Sequence, residues 1–202
     1  VRVLSDSLNN LETLYVLFSK MITKDTLHDL YIRPADETDV WDLAEIHRSC
    51  WQEAFAGILE PAYLEKLTPD NEFDMWERRF RSKSFRKSLH VADHHGFTVG
   101  YLVARPSVRN GECAGHEEWM EISEFYVCPT YWRMGVGSKM MELVSGVILG
   151  NGYDKACLWA LRDAESSRLF YESNGWTLDP KVRGRTEVGT QEVGLVRYTL
   201  EL

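Results

Sequence analysis

Phe125-Tyr126-Val127-Cys128-Pro129-Thr130-Tyr131-Trp132-Arg133-Met134-Gly135-Val136-Gly137-Ser138 reads as a strand that ends, a proline that turns the chain, and a glycine-bearing loop that opens a helix. Glycines at such a junction let backbone N–H groups approach an anion closely. The helix N-terminus adds partial positive charge, so the segment suits a pyrophosphate. Two familiar nucleotide loops fit poorly. A Walker loop needs GxxxxGK[ST], and Lys139 follows Ser138 at the wrong spacing. A dinucleotide fingerprint needs GxGxxG, and only Gly135 and Gly137 are present. Taken alone, the two glycines are equally compatible with a plain strand–turn–helix in which they serve tight packing.

Working outward, Val136, Met140, Leu143, Val144, Val147 and Ile148 recur at helical spacing, and Asn151-Gly152 closes that helix. Residues 156–160 form a short apolar strand, and Asp163 is placed to cap a helix running to Ser173. Two last strands, over 176–182 and 192–200, flank a Gly- and charge-rich turn at 183–190. Upstream, a strand over 119–127 leads into the loop. Strict alternation along it sets Glu121 on the side of Ser123 and Phe125, with Glu124 on the other side. Before it come strands over 88–92 and 98–104, joined by the hairpin signal Asp93-His94-His95-Gly96, and a loop over 107–116. The domain opens with a strand at 30–34, then a helix bearing Val40, Leu43, Ala44, Ile46 and His47 with Asp36 and Asp39 as candidate N-caps. Further helical stretches follow at 51–58 and 73–80. This order predicts an α/β (α+β) fold, a mixed sheet with helices on both faces.

The 202 residues fit one domain with an appendage. Leu8, Leu11, Tyr15, Phe18 and Ile22 lie at helical spacing, so residues 1–28 read as an N-terminal extension with a short amphipathic helix, and 29–202 as the main domain. Cys50, Cys113, Cys128 and Cys157 form no CxxC pair, which predicts reduced thiols. No basic leader precedes a long apolar run, so a soluble, cytoplasmic protein without membrane contact is expected. The net charge of −8 argues against nonspecific nucleic-acid binding and is compatible with a cationic partner. His90, His94 and His95 cluster near a hairpin and read as surface residues, with no metal expected. His47 reads as packed, and His116 as a reserve base.

The loop Trp132-Arg133-Met134-Gly135-Val136-Gly137 resembles the pyrophosphate motif of the GNAT superfamily, [QR]-x-x-G-x-[GA]. The preceding Tyr126-Val127-Cys128-Pro129 is similar to the strand that leads into it there. Leu169-Phe170-Tyr171-Glu172-Ser173-Asn174-Gly175-Trp176 is similar to the family's FYxxxGF segment, and 51–59 followed by Tyr63-Leu64 to a stretch of bacterial members. The chain departs at Trp132 and Met134, where the family carries Gln or Arg and a basic residue. It departs again at Ala164, where many members carry an Asn. The resemblance implies a largely antiparallel twisted sheet with a central parallel strand pair splayed for CoA. It implies acetyl-CoA as co-substrate, held along Phe125, Tyr126, Val127, Arg133, Met134, Gly135, Val136, Gly137 and Ser138.

An alkylammonium is neutral in only roughly one molecule in a thousand at pH 7, so its acetylation needs a proton acceptor, a donor to the thiolate and an oxyanion stabiliser. The resemblance assigns the first role to Glu121, which lies 11 positions before Trp132 as in members with a strand glutamate, and the second to Tyr171. Each also reads as an ordinary residue, one a solvated strand glutamate and the other a packed aromatic. The acceptor wall is implied at Trp51, Phe55 and Tyr63 and at the 183–190 turn. Three activities stay open: transfer to a small primary amine, transfer to a protein amine, and non-catalytic acyl-CoA binding, with a homodimer compatible with each.

Overall fold

The computed structural model describes residues 24–107 and 119–202. The helix expected within 1–22, most of the 107–116 loop, Cys113 and His116 lie outside them. Seven strands form one sheet in the order β1-β2-β3-β4-β5-β7-β6. They are β1 Leu30–Pro34, β2 Leu89–His94, β3 Phe97–Pro106, β4 Met120–Val127, β5 Lys155–Leu161, β6 Thr177–Val188 and β7 Gln191–Glu201. Every neighbouring pair is antiparallel except β4 and β5. The helices are α1 Val40–Ala54, α2 Pro61–Leu64, α3 Pro69–Phe80, α4 Lys83–Ser88, α5 Val136–Gly150 and α6 Glu165–Ser173. The mixed sheet with helices on both faces is as the sequence predicts.

Local chemistry accounts for most boundaries. Asp36 and Asp39 form a capping box on the short turn ahead of α1, and Arg33 holds Asp39 through two bonds of 2.8 Å. Pro69 sits in the first turn of α3 behind the Thr68 cap. The β2–β3 hairpin turns on His95 and Gly96, both at positive φ (56° and 84°), the geometry a two-residue loop requires. Gly152, at φ 82°, follows the Asn151 cap of α5.

Five expectations need correction, besides that for His94, which is buried and not on the surface. The stretch 51–58 is no second helix, because α1 runs unbroken through Trp51 to Ala54. The turn at 183–190 is mostly strand, since pairing of Arg183 with Val196 through Val188 with Gln191 leaves only Gly189 and Thr190 to turn. Asp163 does not cap α6; Ala164 occupies that position without a side-chain bond, and Asp163 pairs with Arg162. Cys50 and Cys128 are free and buried, but Cys157 is disulfide-bonded, against the expectation of reduced thiols. The fifth correction bears on the site. Val103 pairs with Glu124 and Ala104 with Ile122, so Ser123 is an extra residue, a β-bulge in β4. The bulge breaks the alternation, and Glu121, Glu124 and Tyr126 share one face with Arg105, Val103 and Tyr101.

That face is covered by α1 and α3 around Leu43, Ile46, Trp76, Tyr101 and Val103. On the other face Met141, Val144 and Ile148 of α5 pack with Leu102, Ile122, Ala156, Leu158 and Tyr198, and Phe170 and Tyr171 of α6 join them. Among the described residues no helix is long and apolar enough to cross a membrane.

Candidate active site

β4 and β5 pair over three positions only, Met120–Ala156, Glu121–Cys157 and Ile122–Leu158. Beyond them no ladder joins 123–127 to 159–161, so the two strands part and leave a wedge. The bulge at Ser123 falls where they separate, and the added local twist it brings is the physical cause of the parting.

The loop of residues 128–135 turns at the wedge mouth. Arg133 (φ 62°) and Gly135 (φ 90°) adopt left-handed backbone, and Gly135 is the N-cap of α5. The first intrahelical bond runs from Lys139 N–H to the Gly135 carbonyl, at 2.9 Å. No side chain caps α5, so the N–H groups of Val136, Gly137 and Ser138 have no intrahelical acceptor and meet the positive end of the helix dipole. These donors fit a diphosphate without help from basic side chains.

The departures in this loop acquire roles. The Trp132 indole N–H donates to the Val127 carbonyl at 2.6 Å, and the Cys50 thiol donates to the same oxygen at 3.0 Å. Met134 packs against the core beneath α1 and α3. Arg133 remains as the exposed cation of the loop. A Cβ on Gly137 would lie 3.0 Å from the Phe170 ring, so this glycine serves α5–α6 packing. A Cβ on Gly135 would lie 2.9 Å from Leu27, placing the end of the N-terminal segment against the anion loop. Replacing Trp132 by Phe, which keeps the ring and removes the donor, is expected to cost about 1 kcal/mol in urea unfolding. An unchanged midpoint would mean the bond contributes nothing.

Of the other residues expected to bind cofactor, Phe125 stacks on Phe170 with centroids 5.8 Å apart. Tyr126 turns toward α1, where its hydroxyl accepts from Trp51 Nε1 at 3.0 Å. Val136 is fully buried, so it can offer only its backbone N–H.

Glu121 and Tyr171 lie on opposite faces. Glu121 is buried at the closed end of the wedge, ion-paired with Arg105 at 3.1 Å. Tyr171 packs against Phe170, Trp176 and Tyr198 at centroid separations of 5.5, 6.4 and 5.8 Å. Burial, and then the neighbouring Tyr198, pushes its phenol well above the ordinary tyrosine range, so it stays protonated at neutral pH. Tyr171 also raises the Tyr126 phenol electrostatically, behind burial and Glu124.

Trp51, Phe55 and Tyr63 come together as one aromatic wall. Trp51 lies 5.2 Å from Phe55 and 6.0 Å from Tyr63, centroid to centroid. Its far side meets the β6–β7 turn. Gln191 accepts from Glu60 N–H at 3.0 Å and donates to the Ile58 carbonyl at 3.0 Å, and Thr190 donates to Glu60 at 2.9 Å. Glu124 and the pair His47–Glu72 also face this side, and sequence reasoning placed neither there. The bulge that reorients Glu124 depends on cross-strand register. The partner of His47 is 25 residues away on another helix, with no spacing to betray it. Among the described residues, no group of His, Cys, Asp or Glu side chains is arranged to hold a metal.

The chain is 23% identical over 161 residues to a protein of Mycobacterium tuberculosis described as a probable N-acetyltransferase, covering 78% of this chain and 83% of the relative. Among solved structures, the PaiA N-acetyltransferase of Thermoplasma acidophilum, in complex with coenzyme A, superposes with a TM-score of 0.58 at 17% identity, over 83% of this chain and 97% of that one. The ribosomal-protein-alanine N-acetyltransferase of Brucella melitensis gives 0.59 at 20% identity, over 85% and 99%. The acetyltransferase (GNAT) family matches residues 40–176, from the start of α1 through the wedge to the end of the α6 motif. With wedge, uncapped helix and family pattern coinciding on the same residues, this chain belongs to the GNAT family of acetyltransferases.

Proposed function

We propose that the protein transfers the acetyl group of acetyl-CoA to the nitrogen of a small primary amine. The observation that carries this reading is the parting of β4 and β5 beside the uncapped N-terminus of α5. The N–H groups of Val136, Gly137 and Ser138, with the backbone of Arg133 and Met134, would hold the diphosphate, and the edge of 125–127 the arm beyond it. The bound thioester supplies an activated acyl carbon and a thiolate leaving group. Tyr171 donates a proton to the departing sulfur. Glu121, which is too enclosed to touch the amine, draws a proton from it through intervening water. A backbone N–H within 125–127 stabilises the oxyanion.

The preference for a small acceptor rests on the bonds between 58–60 and 190–191, which tie the two walls of the acceptor cleft together at one end. A peptide would need that end open.

Calorimetric titration with acetyl-CoA tests the reading. Wild type is expected to bind, and Arg133→Glu to bind roughly threefold to tenfold more weakly, because the loop's exposed cation becomes an anion beside the diphosphate. Arg133 is preferred to Gly137 for this purpose, since a side chain at Gly137 would strike Phe170 whatever the ligand does. Absence of wild-type binding at high micromolar acetyl-CoA would remove the proposal. Turnover of N-terminal peptide amines in place of small amines would move the acceptor to proteins.

A further inference from the structure

An alkylammonium carries three N–H protons and the amide product keeps one, so two leave the nitrogen, while the departing thiolate consumes only one. Glu121 is poorly placed to take the first as the amine enters. Its side chain is 4% exposed, is paired with Arg105 and stands where β4 and β5 are still joined.

The acceptor face carries another acid–base pair. His47 Nδ1 lies 2.6 Å from Glu72 Oε2, with the two side chains 12% and 6% exposed. The imidazole centroid is 5.1 Å from Trp51 and 5.8 Å from Tyr126. Trp51, one turn on from His47, donates to the Tyr126 hydroxyl at 3.0 Å, which locks this side of α1 against the strand that borders the wedge. The other titratable groups around the ring are accounted for. From α3, Arg79 is engaged by Glu124 of β4, and from β3 the Tyr101 hydroxyl donates to Glu124 at 3.2 Å. Tyr63 of α2 is raised by burial and then by the charge of Glu72. Cys50 of α1 donates to the Val127 carbonyl. Glu72 is therefore the carboxylate paired with His47, and the Arg79 cation is engaged by Glu124.

We propose that His47 takes the first proton from the entering ammonium, with Glu72 as its positioning residue, an assignment that rests on the acetyl transfer proposed above. With Nδ1–H donating to Glu72, Nε2 is free to accept. The imidazolium that forms is neutralised by Glu72 and releases its proton to solvent. The amine lone pair then forms the C–N bond to the acyl carbon, and the C–S electron pair leaves with sulfur, which takes the Tyr171 proton. The second nitrogen proton passes by way of Glu121 and water to the Tyr171 phenolate. One proton in total reaches solvent, carried by His47.

Steady-state rates with n-butylamine, benzylamine and 1,4-diaminobutane as probe acceptors test this alongside acetyl-CoA calorimetry. His47→Gln is expected to lower kcat/KM for the amine about 100-fold or more, to remove the acidic limb of the pH–rate profile, and to leave the acetyl-CoA Kd within about twofold. Imidazole added to His47→Ala should restore part of the rate, which a packing role would not allow. Glu72→Gln should lower kcat about tenfold with little change in KM or in the acetyl-CoA Kd, because the ring loses the carboxylate that orients it. Histidine side-chain NMR, with n-butylamine added in the absence of acetyl-CoA, should shift the His47 resonances and so reads acceptor contact without turnover. An unchanged kcat/KM and pH profile in His47→Gln, or unmoved His47 resonances, overturns the assignment. Wild type that fails to bind acetyl-CoA overturns instead the functional reading beneath it.

Discussion

Tyr171→Phe is expected to lower kcat by about 100-fold to 10,000-fold while acetyl-CoA binding and stability stay close to wild type. The phenyl ring keeps the contacts with Phe170, Trp176 and Tyr198 that hold α6 against the sheet. Among the described residues the lost hydroxyl has no hydrogen-bond partner, so its removal leaves no buried group unpaired. What disappears is a proton donor for the thiolate, one that burial keeps protonated well above neutral pH. The deficit should therefore be flat across pH 6 to 9 and should fall on kcat more than on KM. Single-turnover kinetics with acetyl-CoA and a primary amine measures it. A rate within twofold of wild type would show that sulfur is protonated from elsewhere and would favour acyl-CoA binding without Tyr171 chemistry.

Trp76→Ala should be the most damaging change outside the wedge, costing about 3–5 kcal/mol and lowering Tm by roughly 10 °C. Trp76 is fully buried between α3 and the sheet. Its ring meets Tyr101 edge-on at 5.0 Å, lies 6.1 Å from His47, and carries the Arg79 guanidinium 4.4 Å above it. Truncation opens a cavity that rigid neighbours cannot fill, and it loosens the turn of α3 that presents Glu72 to His47. Trp76→Phe separates these effects. The indole N–H is buried without a partner among the described residues, so exchanging it for a phenyl ring removes an unsatisfied donor and offsets part of the lost area. A cost below about 1.5 kcal/mol is expected for Phe. Equal destabilisation by Ala and Phe in thermal and urea unfolding would contradict the cavity argument.

The legible parts of the fold share one property, in that each is written by residues close together in the chain. The helical period of 136–148, the Asn151-Gly152 stop, the His95-Gly96 hairpin and the proline-turned loop at 129–135 are local statements, and the structure follows them. The backbone of the loop before α5 was legible for the same reason, because two glycines and a helix start determine its geometry. In two places where local reasoning failed, a distant partner had decided the outcome. Ser123 looks like any alternating strand residue until β3 is laid beside it, and the bulge then turns Glu124 to the face of Glu121 and Tyr126. Residues 183–188 look like a loop because of their glycine and charges. They are strand because β7 pairs with them, and Gly184 is tolerated where Trp159 presses within 2.8 Å of its missing Cβ.

By itself the sequence determined the order of elements, the mixed sheet with helices on both faces, and the strand–loop–helix that marks the CoA side, since short-range periodicity and turn chemistry suffice for these. Only the tertiary structure decided how β4 parts from β5, that Glu121 and Glu124 share one face, that Trp132 spends its indole N–H on the Val127 carbonyl, and that His47 meets Glu72. The physical reason is the range of the interactions. Periods of two and 3.6 residues are written along the chain, whereas cross-strand register, packing against a distant ring and a hydrogen bond between two helices exist only once the chain has closed on itself.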